Sequence, residues 1–140
     1  MDITFKETNL LDEKQVGLLY RDANWTSYTE DMPRLMNAIK SSLMVITAWE
    51  HGKLIGLVRV VGDGLTIIYF QDLLVLESCR NRGIGSKLLK LVLEQYKDVR
   101  QTVLLTDESE EVRSFYEKNG FSSCDKGDLV AFAKFNKNKV

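Results

Sequence analysis

One histidine, one proline and two cysteines occur among 140 residues. Each scarcity excludes something. With His51 as the only imidazole, most zinc sites fall away, as does any Ser-His-Asp triad not built on it. Cys79 and Cys124 lie far apart and match no metal spacing, so free thiols in a reducing compartment are expected, and no metal site. No apolar run approaches the roughly 20 residues that cross a bilayer. The start, Met1-Asp2-Ile3-Thr4-Phe5-Lys6, lacks the basic and apolar regions of a secretory signal. A cytoplasmic chain without a membrane partner is expected. Charge of either sign is not in excess. A net charge of -1 argues against nucleic acid as a partner, since general binders carry a basic surplus.

What is present is balanced. An apolar fraction of 44% and a charged fraction of 28% are those of a soluble globular protein, and the length suits one domain, 1–140. Ile3-Thr4-Phe5 alternates as a first strand. Asp12 to Ala23, capped by Asp12, sets Val16, Leu19, Tyr20 and Ala23 on one helical stripe. Trp25-Thr26-Ser27-Tyr28 breaks that period and reads as loop. Met32 to Ser41 reads as a second helix with Pro33 in its first turn. Leu43 to Glu50 and Leu54 to Val61 read as strands around a hairpin turn at His51-Gly52-Lys53. Gly62-Asp63-Gly64 turns the chain into Leu65 to Leu76, a long apolar strand interrupted by Gln71-Asp72. A third helix runs through Lys87 to Tyr96, then a buried strand at Thr102 to Thr106. Asp107 to Asn119 reads as a fourth helix, with Glu110 completing a capping box on Asp107 and Gly120 as a left-handed stop. Phe121 to Cys124 and Val130 to Phe135 read as a last strand pair. The order β-α-α-β-β-β-α-β-α-β-β implies one sheet with helices on both faces.

The most specific stretch is Arg80-Asn81-Arg82-Gly83-Ile84-Gly85-Ser86, placed between an apolar strand and a helix start. Unpaired N–H groups at a helix N-terminus carry partial positive charge. Glycines admit an anion close to the backbone, and Arg80, Arg82 and Lys87 add full charges. A phosphorylated ligand is expected here. A dinucleotide fingerprint would need a third glycine where Leu88 stands, and a P-loop would need a Gly-Lys-Ser/Thr ending that Gly85-Ser86-Lys87 does not supply.

Arg80-x-x-Gly83-x-Gly85 after a strand resembles the pyrophosphate loop of the GNAT superfamily of acyl-CoA-dependent N-acyltransferases. Ser114-Phe115-Tyr116-Glu117-Lys118-Asn119-Gly120-Phe121 resembles the family's second signature, and the element order is similar to the family's order throughout. The resemblance implies an α/β (α+β) GNAT fold. Its sheet would be mixed and mostly antiparallel, with about six to seven strands splayed in the middle and about four helices. It implies acetyl-CoA as cosubstrate, pantetheine contacts from the backbone of Leu73, Leu74 and Val75, and pyrophosphate on the loop Arg80, Asn81, Arg82, Gly83, Ile84, Gly85 and Ser86. Phe115 joins the cofactor side. Ser109 stands where many relatives have asparagine, and either touches the ligand or caps the helix. Tyr116 is placed as the general acid on the departing thiolate, with a backbone N–H near Leu74 polarising the acyl oxygen.

The acyl acceptor is expected to be a small-molecule, or peptide, primary amine. Trp25 and Tyr28 are candidates for holding it by ring contacts, with Tyr69 and Gln71 lining the cleft from the strand face opposite Asp72. Asp72 is a candidate base, or else a structural partner of a helix end or an arginine. The resemblance also admits a homodimer. The competing expectation is a catalytically idle acyl-CoA-binding regulatory module.

Overall fold

His51 and Gly52 have backbone φ angles of 51° and 74° and close a tight hairpin. It joins β2 (Met44–Glu50) to β3 (Lys53–Gly62). β1 (Ile3–Glu7) pairs antiparallel with β2, and β4 (Ile67–Val75) pairs antiparallel with β3. β5 (Gln101–Leu104) lies parallel to β4. The sheet order is β1-β2-β3-β4-β5. The computed structural model describes residues 2–137. They divide into one unit up to Leu104, which contains this sheet, and a second from Leu105 onward.

Helices cover both faces of the sheet. α4 (Ile84–Gln95) packs where Gly56 leaves room. A Cβ at Gly56 would lie 3.2 Å from Leu88 and 3.3 Å from Ile84, so a larger residue would push the helix off. α1 (Glu13–Asp22), α2 (Thr26–Thr29) and α3 (Met32–Lys40) pack on one another, and α1 also meets β3 and β4. Tyr20 of α1 reaches Asp72, which stands opposite Arg59 in the ladder. Arg59 and Gly56 are three apart on β3 and therefore on opposite faces. The core between these layers includes Val16, Leu19, Leu35, Ile39, Leu57, Val58, Leu88 and Val92, all buried.

The β3–β4 ladder shifts register once. Arg59 pairs with Asp72 and Val60 with Phe70, leaving Gln71 as the extra residue of a β-bulge.

In the C-terminal unit, Ser109 caps α5 (Glu110–Lys118) by accepting from the Val112 N–H at 3.4 Å. Gly120, at φ 91°, stops the helix, and the Phe121 N–H donates back to the Tyr116 carbonyl. Arg113 ties the helix to the chain on either side of it, pairing with Glu108 at 2.6 Å and Asp125 at 3.1 Å.

The structure corrects four expectations. The described sheet has five strands rather than six to seven. The stretch expected as loop contains a helical turn, α2, making five α-helices among the described residues rather than about four. The cap of α5 is Ser109, not Asp107. The final strand pair does not form: 121–123 is irregular, Cys124–Lys126 is a 3-10 turn, and 129–135 is irregular. Asp125, expected in a hairpin turn, instead accepts from Arg113 and Ser123, which folds the chain locally. The alternating segment beyond it keeps its apolar side chains exposed, Phe132 at 91% and Val130 at 73%. Alternation supplies a strand's faces but not a partner for its backbone.

Candidate functional site

Gly83 adopts φ 78° as the residue before α4, and Asn81 adopts φ 63° two residues earlier. This pair of left-handed residues folds the glycine loop onto the helix start. The first α4 hydrogen bond runs from the Lys87 N–H to the Gly83 carbonyl. The N–H groups of Ile84, Gly85 and Ser86 precede it, and glycine at the cap has no side chain to satisfy them. A Cβ at Gly83 would meet no atom within 4 Å. The loop therefore offers open space beside three helix-end donors, which is what an anion requires.

The loop's two arginines differ in their surroundings. Arg80, three residues before Gly83, is exposed. Arg82 is engaged elsewhere, in a bidentate pair with Glu50 at the end of β2, at 3.1 and 2.6 Å. Those bonds lower the Glu50 carboxyl from its usual range and raise the Arg82 guanidinium. Glu50 was not foreseen. It clips the loop to the β2–β3 hairpin, and no sequence spacing marks a contact over such a separation.

Beside the loop, β4 has an open edge. β5 pairs with β4 only from Ile67 to Phe70, while β4 runs on to Val75. The Leu76 N–H donates to Ile55, its opposite residue. Alternation along the antiparallel ladder then turns the N–H and C=O of Leu74 toward β3, and those of Leu73 and Val75 toward the open edge. Of the three residues expected to contact the cofactor, Leu73 and Val75 thus direct backbone groups to that edge and Leu74 directs its own to β3. The gap lies at the last strand pair of the five described, β4 and β5.

On the α1–α2 face lies a buried polar cluster. Asp72 is 2% exposed and Arg59 5%. Arg59 Nε donates to Asp72 Oδ2 at 2.7 Å and the Tyr20 hydroxyl to the same oxygen at 2.8 Å. The Tyr28 hydroxyl donates to Oδ1 at 2.9 Å and accepts from Gln71 Nε2 at 2.9 Å. Burial, then the Asp72 charge, raises the Tyr20 hydroxyl well above its ordinary value and raises Tyr28 too. Trp25 completes the cluster, its ring 5.8 Å from Tyr20 and 6.1 Å from Tyr28. Among the described residues no buried side-chain polar atom lacks a partner.

The structure thus unites Trp25, Tyr28, Gln71 and Asp72. Gln71 was expected on the face opposite Asp72. Both side chains reach one hydroxyl, because the bulge suspends the strand's alternation between them. Tyr69, on β4, is half-buried. Arg59 and Tyr20 were missed as site residues. The available signal was a charge inside each of two adjacent apolar strands, Arg59 in β3 and Asp72 in β4.

In the C-terminal unit Tyr116 is half-buried on α5, with Phe115 at 5.0 Å and Phe121 at 5.6 Å, both edge-on. Burial pushes its hydroxyl up to about 12, so it holds its proton at neutral pH. Phe115 is likewise half-buried, and its carbonyl accepts from Asn119. Among the described residues no helix is long and apolar enough to cross a membrane.

Comparisons with known proteins show the family and the fold. The family model described as an acetyltransferase (GNAT) domain matches residues 41–123, reaching into both units. An uncharacterised ycf52-like N-acetyltransferase of Prochlorococcus marinus is 28% identical over 134 residues, covering 91% of this chain and 72% of that protein. A GNAT-family acetyltransferase structure from Streptococcus pneumoniae superposes with a TM-score of 0.86 at 32% identity, covering 98% of this chain and 100% of that one. The PaiA N-acetyltransferase of Thermoplasma acidophilum, solved with coenzyme A, shares the fold, with a TM-score of 0.74 at 18% identity over 87% of this chain and 91% of its own.

Proposed function

The chain belongs to the GNAT acetyltransferase family, and from that premise we propose that it transfers the acetyl group of acetyl-CoA to a primary amine of a small molecule. The observation that carries this reading is the open edge of β4 beside the Gly83 turn and the amides of Ile84, Gly85 and Ser86. An extended arm with amide groups suits the edge, and a pyrophosphate suits the helix start. Arg80 adds charge to the phosphate side. Arg82 holds the loop in shape through Glu50.

The transfer proceeds by direct attack. The neutral amine nitrogen bonds to the acetyl carbon while a β4 N–H, at Leu73 or Val75, steadies the developing oxyanion. The carbon–sulfur bond then breaks. The thiolate takes the Tyr116 proton, and the proton lost from the new ammonium returns through water to the Tyr116 phenolate. In this scheme Asp72 positions rather than abstracts, because its two oxygens already accept from Arg59, Tyr20 and Tyr28. Trp25 and Tyr28 stand on the acceptor side.

The test is release of free thiol from acetyl-CoA across a panel of primary amines. Turnover with at least one supports the reading. Tight acetyl-CoA binding without any turnover would overturn it in favour of an idle acyl-CoA-binding module. A second result is expected at the loop. Gly83→Val should weaken acetyl-CoA binding about tenfold or more, because a β-branched residue at positive φ costs on the order of 1–2 kcal/mol and displaces the helix-end amides. The fold should survive, since the new side chain enters open space. Gly83→Asn, which tolerates the left-handed region, should retain more affinity. Calorimetric titration of both variants checks this, and equal affinity for wild type and Gly83→Val would remove the loop from the cofactor site.

A further inference from the structure

We infer that Gln71 holds the attacking amine through its side-chain carbonyl, and that the buried Arg59–Asp72 pair fixes the direction of that carbonyl through Tyr28. The inference rests on the acetyltransfer reading and assigns its acceptor contact. Hydrogen-bond polarity runs one way through the cluster. The Asp72 carboxylate, ion-paired with Arg59 at 2.7 Å, accepts only. Tyr28 has one hydroxyl proton, and it points to Asp72 Oδ1 at 2.9 Å. The Tyr28 oxygen is left as an acceptor, so the Gln71 amide must present Nε2 to it, as it does at 2.9 Å. Gln71 Oε1 is thereby directed away from the cluster.

That carbonyl is accessible and well placed. Gln71 is exposed, whereas its neighbours Phe70 and Asp72 are buried. It is the first β4 residue beyond Phe70, where the pairing with β5 ends and the open edge begins. The bulge aims its side chain to the α2 side, where Trp25 and Tyr28 lie. A fixed carbonyl at the start of the open edge accepts one N–H of a neutral primary amine. That contact turns the nitrogen lone pair away from Oε1 and leaves it available for attack. A glutamine rotating freely at the surface would hold no such direction. Tyr28 and Asp72 supply it, which explains a buried charge pair beneath an exposed amide.

The test is a double-mutant cycle on amine kinetics with saturating acetyl-CoA, using an amine that the wild type acetylates. Gln71→Leu should raise KM for the amine about tenfold, the loss of one hydrogen bond to a polar ligand group, and leave KM for acetyl-CoA unchanged. Tyr28→Phe should raise the amine KM about threefold, because the amide loses the oxygen that orients it. The pair together should be no worse than Gln71→Leu alone, since the relay has nothing left to orient. An unchanged amine KM in Gln71→Leu overturns the contact. Independent, multiplying effects in the double variant overturn the relay. A wild type that binds acetyl-CoA but acetylates no amine overturns the acetyltransfer reading and this inference with it, which the variant results alone would not do.

Discussion

Tyr116→Phe is expected to lower kcat by about a hundredfold or more, within the range for loss of a positioned general acid, while acetyl-CoA affinity stays within about twofold. The substitution removes one oxygen and keeps the ring. The edge-on contacts with Phe115 and Phe121 survive, so α5 and its Gly120 stop are retained. What is lost is a proton donor. Burial holds the hydroxyl at about 12, so at neutral pH essentially every molecule carries the proton. On the proposed mechanism the thiolate of coenzyme A must then leave unprotonated or take a proton from water. Steady-state turnover and a separate binding titration read the two effects apart. If kcat is unchanged, Tyr116 has no part in the chemistry and serves only as packing. If affinity falls in step with kcat, its role is in holding the cofactor.

The sequence made much of this site legible, for reasons that differ by element. The Arg80-to-Ser86 loop is local: its turn, its left-handed glycine and its helix start all lie within a few residues, so spacing alone describes them. The same holds for the His51-Gly52 turn and the Gly120 stop. Asp72 was conspicuous because a charge in an apolar strand requires a partner, but its partner Arg59 depends on register across a hairpin. The bulge at Gln71 was not legible. One residue of slippage re-aims a side chain, and no composition cue marks it. The Val130 to Phe135 alternation misled in the opposite sense. It has the period of a strand, yet no strand pairs with it among the described residues. The Arg82–Glu50 pair was not legible either, since the two residues lie far apart in sequence and meet only through the fold.

Asp72→Asn is expected to lower folding stability by roughly 3–5 kcal/mol, the cost of leaving one member of a buried ion pair without its counter-charge. Arg59 is 5% exposed and cannot turn to solvent, so its charge would stay in the core facing a neutral amide. Urea unfolding with an unchanged m-value would measure the loss. A loss below about 1 kcal/mol, the scale of an exposed pair, would mean that water reaches the cluster. Destabilisation alone would not separate a scaffold from a device serving the acceptor. The triple variant Tyr20→Phe/Arg59→Met/Asp72→Leu does, because it removes both charges and the buried hydroxyl that depends on them. An apolar replacement of similar volume is often neutral or stabilising. Folding should therefore largely return. The orientation of Tyr28 and Gln71 should not, because Tyr28 would have no fixed acceptor for its proton. The variant is expected to bind acetyl-CoA normally and to keep a raised KM for the amine. Recovery of stability together with a wild-type amine KM would make the pair a structural relic of the fold. Recovery without it would tie the buried charges to the acceptor.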